Sequence, residues 1–199
     1  MIIQTLKTFI RQPLLIIAFA VFSLLLLFHP YFSSNGKLIS QSSVFQSQLV
    51  SKVFIGSPVR LKIPSIKVNA AIEYVGLTPK REMEVPKKTV DVGWFEPGPR
   101  PGEKGSAVIA GHFNGRNGEE GVFADLYKLK TGDKLYIESN IGTTTIFIVL
   151  ESRTYDPGLA GNVFSRSDGI YLNLITCDGV WDGVKKSYSK RLVVFARAL

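Results

Sequence analysis

Short β-rich runs separated by Gly, Pro and Asp fill the sequence after Pro58, and no other feature constrains the fold as much. The runs are VRLKIP, KVNAAIEYVG, SAVIAGH, DKLYIES, TTTIFIVLE, IYLNLITC and KRLVVFARAL. Short strands with turn residues between them indicate an all-β barrel or sandwich. With 199 residues, of which 45% are hydrophobic, the chain has enough apolar material for one sizeable core.

Two segments of this region depart from the strand pattern. Residues 122–129 (VFADLYKL) favour a short helix ahead of a turn. Residues 89–105 contain three prolines and four glycines, which predicts a mostly irregular segment. We interpret its aromatic residues Trp94 and Phe95 as packing residues and not as ligands, because large aromatic side chains commonly serve cores.

An apolar run interrupted by a single serine occupies residues 14–28, after Lys7 and Arg11. A cleaved signal peptide has an apolar stretch of about 7 to 15 residues, whereas a membrane-spanning helix needs about 20. We interpret the run as a retained transmembrane helix, because Tyr31 and Phe32 extend it and no A-x-A cleavage site is visible. A cleaved signal is the alternative. The basic residues before the span predict a cytoplasmic N-terminus and an extracellular C-terminal part, a single-pass protein of the cell membrane.

The expected organisation is a cytoplasmic tip and anchor at residues 1–32, a stalk at 33–57 and an extracytoplasmic domain at 58–199. The stalk is rich in Ser and Gln and has room for one weak helix at residues 44–53. The formal net charge of +8 either favours association with anionic wall polymers or lipid headgroups, or simply keeps the chain soluble. Nothing resembles a nucleic-acid-binding module, so we expect no nucleic acid partner.

The sequence contains one cysteine, Cys177, so no intramolecular disulfide can form. A single thiol in an exported protein is either a small buried hydrophobe or a working nucleophile. Cys177 ends an apolar run and is followed at once by Asp178 and Gly179, which predicts a turn. A thiol at a strand end favours the nucleophile. Since its ordinary pKa is about 8.5, it would need a nearby base or cation.

Two further polar residues stand at the ends of apolar runs. His112 closes AVIAGH and precedes a glycine-rich loop, where a rigid scaffold often presents functional groups. Arg191 opens RLVVFARAL, and its fixed charge and planar donors suit a developing oxyanion. The plain alternatives are an ordinary hydrogen-bonded histidine and a solvated arginine at the start of a strand.

Together these segments resemble the sortase family over about residues 60–199. The resemblance rests on GSAVIAGHFNG, GVFADLYKLKTGD, LNLITCDG and YSKRLVVFA, which follow one another in the family's order and approximate spacing. It implies the sortase eight-stranded β-barrel with one or two short helices. It also implies that His112, Cys177 and Arg191 are catalytic, and that Thr176 helps to line the sorting-signal pocket.

The segments around the histidine and the cysteine look most like class F sortases, with classes D and E next. Asn173 departs from the family, which usually has threonine at the start of its T-L-x-T-C motif. This position is not chemical, so we expect it to bear on packing and subfamily. The stalk has no Asp-Pro-aromatic lid motif, which disfavours a pilus-assembling class.

The resemblance implies a cysteine transpeptidase that acts on secreted proteins with a C-terminal sorting signal similar to Leu-Pro-x-Thr-Gly. Cys177 would form a thioester with the threonine carbonyl, Arg191 would hold the oxyanion, and His112 would move the proton. An amine of a cell-wall precursor, as in Gram-positive bacteria, would then accept the acyl group.

The implied reaction requires no metal and no organic cofactor. Calcium assists some sortases, but the acidic residues here are too dispersed to indicate a site: Glu119, Glu120, Asp125 and Asp168. Two other functions compete with the transpeptidase. One is a cysteine hydrolase that uses the same site with water, and the other is a basic, membrane-tethered module that only binds wall polymer. A pure binder has no need of three polar residues at strand ends.

Overall fold

The computed structural model describes residues 55–115, 117–158 and 163–199. Residues 53–199 form one compact unit. The predicted anchor, most of the predicted stalk and the weak helix expected at residues 44–53 lie outside the described residues. Among the residues that are described, no helix has the length and apolar character needed to cross a membrane.

Eight strands in the described residues close into a barrel, which confirms the predicted eight-stranded all-β fold. The strands are β1 (Pro58–Ile63), β2 (Val68–Val75), β3 (Val92–Phe95), β4 (Gly105–Gly111), β5 (Lys134–Ser139), β6 (Thr144–Tyr155), β7 (Ile170–Asp182) and β8 (Ser187–Ala198). Around the barrel their order is β1-β2-β3-β4-β7-β8-β6-β5. Helical structure in this described part consists of short 3₁₀ turns, at Pro64–Ile66, at Leu126–Lys128 and at residues 163–164.

The core lies inside the barrel, and strand alternation determines which residues enter it. In β1, Leu61 and Ile63 are fully buried while Arg60 and Lys62 between and beside them are not. β7 and β8 have buried residues on both faces. The RLVVFARAL run in β8 predicts this, because it places apolar residues on both faces of the strand. The buried residues of these two strands belong to the barrel wall, and both strands continue beyond it as a more exposed hairpin.

Two sequence expectations are wrong in detail. The segment expected to be irregular contains β3, a four-residue strand that pairs with β2 in parallel and with β4 in antiparallel orientation. Its Trp94 is 3% exposed and lies in the core, which confirms its packing role. The helix expected at residues 122–129 is a series of turns that ends in the 3₁₀ turn Leu126–Lys128.

Candidate active site

The parallel pairing of β4 with β7 brings His112 and Cys177 to the same level of the barrel. The register pairs Ala110 with Ile175, and the Thr176 hydroxyl donates a hydrogen bond of 2.9 Å to the Gly111 carbonyl. His112 follows Gly111 and Cys177 follows Thr176 in the sequence. Because parallel neighbours advance together, the imidazole just beyond the end of β4 and the thiol of β7 lie at the same end of this ladder.

Cys177 does not end its strand as the sequence predicts. β7 continues to Asp182, and the register shifts between Asp178 and Trp181, so the expected turn is a β-bulge. Gly179 has φ +79°, a left-handed conformation that glycine adopts without strain. Bulges commonly redirect side chains beside functional sites, and this one immediately follows the half-buried thiol.

Arg191 lies directly opposite Cys177 in the antiparallel β7–β8 ladder. The prediction that Arg191 opens its strand is wrong, because β8 begins at Ser187 as the second arm of the long hairpin. The guanidinium is held on its own strand: Nη1 donates to the carbonyls of Tyr188 and Lys190 at 3.0 and 2.8 Å, and Nη2 donates to the Ser187 hydroxyl at 3.2 Å. These contacts use three of its five N–H donors and fix the plane of the charge.

Burial and charge act in opposite directions on the thiol. Removal of Cys177 from water raises the pKa of its thiol, and the Arg191 cation partly offsets this by lowering it. Burial is the larger cause, so the pKa lies above its ordinary value. Since the thiolate is the nucleophile, the site needs a base to remove the thiol proton.

His112 is the base that the ladder brings nearest in register, but it is engaged elsewhere. Its Nε2 is 2.8 Å from the carbonyl oxygen of Pro86, in the connection between β2 and β3. Its own carbonyl accepts the Phe123 N–H at 2.9 Å. Within the described residues, no hydrogen bond joins His112 directly to Cys177, so a proton transfer between them needs a small movement or a bound substrate. Catalytic hydrogen bonds commonly form only in the substrate complex.

An aromatic contact connects the histidine loop with the arginine hairpin. Phe113, the residue after His112, packs edge to face against Tyr188 with ring centroids 5.5 Å apart. Tyr188 in turn packs against Trp181 at 5.2 Å, and its carbonyl accepts Arg191. The aromatic cluster therefore couples the loop after β4 to the hairpin that holds the guanidinium.

A groove of about 480 Å³ opens beside the thiol. Cys177, Arg191 and Thr176 line it, whereas His112 is not among its lining residues. The other lining residues come mainly from β4, β7 and two connections: Arg81, Glu82, Met83, Val85, Ala110, Gly111, Pro157, Gly158, Phe164 and Ile175. Thr176 is 4% exposed and its hydroxyl bonds Gly111, so its hydroxyl is already engaged inside the barrel wall.

The β2–β3 connection also belongs to the site, although no sequence pattern predicts it there. It supplies Arg81, Glu82, Met83 and Val85 to the groove and Pro86 to the histidine. No periodic pattern marks this segment, because its contacts with β4 and β7 are distant in sequence. Asn173 is 1% exposed, and its amide donates to the Val163 carbonyl at 2.5 Å, which gives this unusual residue a packing role beside the groove.

In the part of the chain that the structure describes, no group of three or more His, Cys, Asp or Glu side chains is arranged to hold a metal ion. The groove presents a thiol and a fixed cation opposite it, and an imidazole follows the neighbouring strand β4 without lining the groove. Such a set can form an acyl thioester and stabilise the oxyanion that precedes it.

The described residues thus combine an eight-stranded barrel with a thiol and a guanidinium that face each other across one ladder, a class of site suited to thiol acyl transfer. Residues 61–199 match the family model described as the Sortase domain. The chain therefore belongs to the sortase family.

Solved sortase structures resemble the chain as well. Sortase C-1 from Actinomyces oris is 26% identical, with 71% of each chain covered and a TM-score of 0.55. Pilus Island 1 sortase C2 of Group B Streptococcus is 24% identical, covering 71% of this chain and 73% of its own, with a TM-score of 0.56. The sortase D5 transpeptidase of Clostridium perfringens is 23% identical, covering 72% and 79%, with a TM-score of 0.54. A comparison with curated protein sequences found no match.

Proposed function

We propose that this sortase cleaves a C-terminal sorting signal similar to Leu-Pro-x-Thr-Gly on secreted proteins and joins the new carboxyl end to an amine of a cell-wall precursor. The observation that carries the proposal is the cross-strand pair of Cys177 and Arg191 in the wall of an open groove, with His112 directly after β4 at the end of the β4–β7 ladder.

In the first half of the reaction, His112 removes the proton from the Cys177 thiol and the sulfur attacks the threonine carbonyl carbon. The negative charge that develops on the carbonyl oxygen is stabilised by Arg191, whose planar donors are already held in place. The C–N bond then breaks, and His112 returns the proton to the departing amine. The products are an acyl thioester on Cys177 and the released C-terminal peptide.

In the second half, a primary amine attacks the thioester carbonyl. His112 accepts a proton from the amine, the C–S bond breaks, and the thiol regains a proton. Atoms balance with no oxidant, reductant or cofactor, because an amide is exchanged for another amide. The raised pKa of Cys177 is consistent with a thiol, and not a thiolate, as the form that is regenerated at the end of the cycle.

The proposed function places the catalytic domain outside the cell. A single N-terminal helix would hold the protein in the cell membrane with residues 58–199 outside, where secreted clients and wall precursors meet. Protease added to intact cells would then digest the domain. Recovery of a soluble mature form that starts near Asn35 would instead show that the N-terminal segment is a cleaved signal.

The reaction is tested by incubating the full-length protein in detergent with a library of sorting-signal peptides, with and without an added amine. Mass spectrometry should find an acyl adduct on Cys177 and an amine-linked product. The Cys177→Ala variant is the control, and it should give neither. A product that contains only the free acid in the presence of amine would support the hydrolase, and no adduct with any peptide would contradict the proposal.

A further inference from the structure

One peptide group of the β2–β3 connection faces His112. A carbonyl oxygen can only accept a hydrogen bond, so the 2.8 Å contact with Pro86 requires that the His112 Nε2 carries a hydrogen. In a neutral imidazole only one nitrogen is protonated. The contact therefore selects the Nε2–H tautomer and leaves Nδ1 as the nitrogen that gains and loses a proton.

The other side of the same peptide group is held by a carboxylate. The N–H that follows the Pro86 carbonyl belongs to Lys87, and it donates to Glu73 Oε2 at 3.1 Å. The next N–H, of Lys88, donates to Glu73 Oε1 at 3.3 Å. Because a trans peptide is planar, with its N–H and C=O on opposite sides, holding the N–H at Lys87 also fixes the direction of the carbonyl at Pro86.

The surrounding β-sheet supports this arrangement. Glu73 lies in β2 directly across from Gly93 in β3. A Cβ at Gly93 would lie 3.2 Å from the Pro86 ring and 2.9 Å from Val75, so the absent side chain leaves room for Pro86 to pack on the sheet. Pro86 is buried, whereas its neighbours Val85 and Lys87 are exposed. The Pro86–Lys87 peptide group is thus held in place by packing of the proline ring on one side and by the Glu73 carboxylate on the other.

We propose that Glu73 is a positioning residue for the reaction, acting on His112 through the Pro86–Lys87 peptide group. The carboxylate accepts the N–H of that peptide, the C=O of the same peptide holds the imidazole, and Nδ1 carries the proton during acyl transfer. In hydrolytic triads a carboxylate contacts the histidine directly and fixes its tautomer. Here one peptide group stands between them, and it is polarised by the carboxylate so that its carbonyl is a stronger acceptor. The inference rests on the proposed function for its kinetic consequence, but the tautomer does not depend on it.

The tautomer is measured by long-range proton–nitrogen NMR on the full-length protein in detergent with labelled histidine. The chain has two histidines, so a His112→Gln sample assigns the signals. Neutral His112 should be the Nε2–H form in the wild type and a mixture of both forms in Glu73→Ala. Glu73→Gln, whose amide oxygen can still accept one N–H, should lie between them. A wild-type Nδ1–H form, or an unchanged tautomer in Glu73→Ala, would overturn the proposal.

Kinetics with a sorting-signal peptide provide the second measurement. Glu73→Ala should lower kcat about tenfold with little change in KM, as for other partners that orient a reacting group without touching substrate, and Glu73→Gln should recover part of the loss. Glu103→Ala is the matched control, because Glu103 also accepts a backbone N–H, that of Arg100, but in the β3–β4 connection. Equal losses in both variants would assign the effect to general loosening. If no peptide is cleaved by the wild type, the proposed function fails, while the NMR result still decides the role of Glu73.

Discussion

The β7–β8 ladder and the β2–β3 connection both reach the groove, but they hold their side chains by different means. The ladder fixes Cys177 opposite Arg191 through strand register, and it holds the guanidinium with bonds from the same strand. The connection holds His112 with one carbonyl of an irregular segment. Regular strand pairing thus fixes the positions of Cys177 and Arg191, whereas a single peptide group orients His112. The imidazole is therefore the easiest of the three side chains to displace.

Apart from removal of Cys177 or His112 themselves, the largest effect should come from replacing the guanidinium of Arg191. Arg191→Lys keeps the charge but loses the planar set of donors that bond Ser187, Tyr188 and Lys190. We expect kcat/KM to fall about 100-fold to 1,000-fold, the usual cost of removing an oxyanion donor, with little change in thermal unfolding. Near-normal turnover in Arg191→Ala would move the oxyanion role to Lys190 or to backbone donors.

A methyl group at Gly93 should disturb the connection and spare the ladder. In Gly93→Ala the new Cβ meets the side chains of Val75 and Pro86 at 2.9 and 3.2 Å, so one of them must shift. Overpacking of this kind typically costs about 1 to 3 kcal/mol. Denaturant unfolding and peptide kinetics should both show a loss.

Gly76→Ala is the matched control for this prediction. Gly76 lies in the same connection, and the nearest atom to its added Cβ is Glu84 Oε2 at 3.7 Å, an ordinary contact. It should therefore behave like the wild type. A larger loss in Gly76→Ala than in Gly93→Ala would show that the connection does not depend on the packing of Pro86.

Loss of the side-chain hydrogen bond between β4 and β7 should lower stability less than displacement of Pro86 in the β2–β3 connection does. Thr176→Val keeps the shape but removes the hydroxyl that donates to the Gly111 carbonyl at 2.9 Å. The free energy of unfolding should fall by about 1 kcal/mol, the net value of one hydrogen bond. Thr176→Ser, which keeps the donor, should be closer to the wild type in the same denaturant titration. Equal stability of Val and wild-type proteins would show that this bond does not support the ladder.

The smallest expected effect is a shift in the pH profile of the Cys177 thiol when the positive charge beside it is removed. Arg191 lowers the pKa of Cys177 against the larger effect of burial. Arg191→Met removes the cation and keeps the length, so the pKa should rise further and less thiolate should be present at any given pH. The pH profile of Cys177 alkylation should move to higher pH, while Arg191→Lys should keep it near the wild type. A profile that stays in place or moves to lower pH in Arg191→Met would contradict this electrostatic role.

The sequence pattern predicts well the strands that form the β4–β7 and β7–β8 ladders. The short β-rich runs of β1, β4, β7 and β8, separated by turn residues, predict the barrel, and the apolar runs that stop at His112 and Cys177 mark the level of the site. The predicted limits of β7 and β8 are wrong, because a bulge at Gly179 has the same residue pattern as a turn. Single-sequence patterns do not distinguish a turn that ends a strand from a bulge inside it.

The connection side could not be predicted from local pattern. β3 is short and contains Gly93, and it lies in a segment whose prolines and glycines indicate irregular structure. The contact of Pro86 with His112 joins residues 26 positions apart and uses a main-chain atom, which every residue possesses. Only the three-dimensional pairing of β2 with β3, and of β3 with β4, brings that peptide to the histidine.

Cys177 and His112 must act as one unit for the proposed reaction to occur, and a double-mutant cycle tests this directly. Transpeptidation rates and thermal unfolding are measured for Cys177→Ala, His112→Ala and the double variant, with a sorting-signal peptide and an added amine. Each single change should lower the rate about 10⁴-fold or more, and the double variant should be little worse, because every acyl-transfer step needs nucleophile and proton shuttle together. Transpeptidation at the wild-type rate by Cys177→Ala, or a His112→Ala enzyme that keeps most of its activity, would contradict the account.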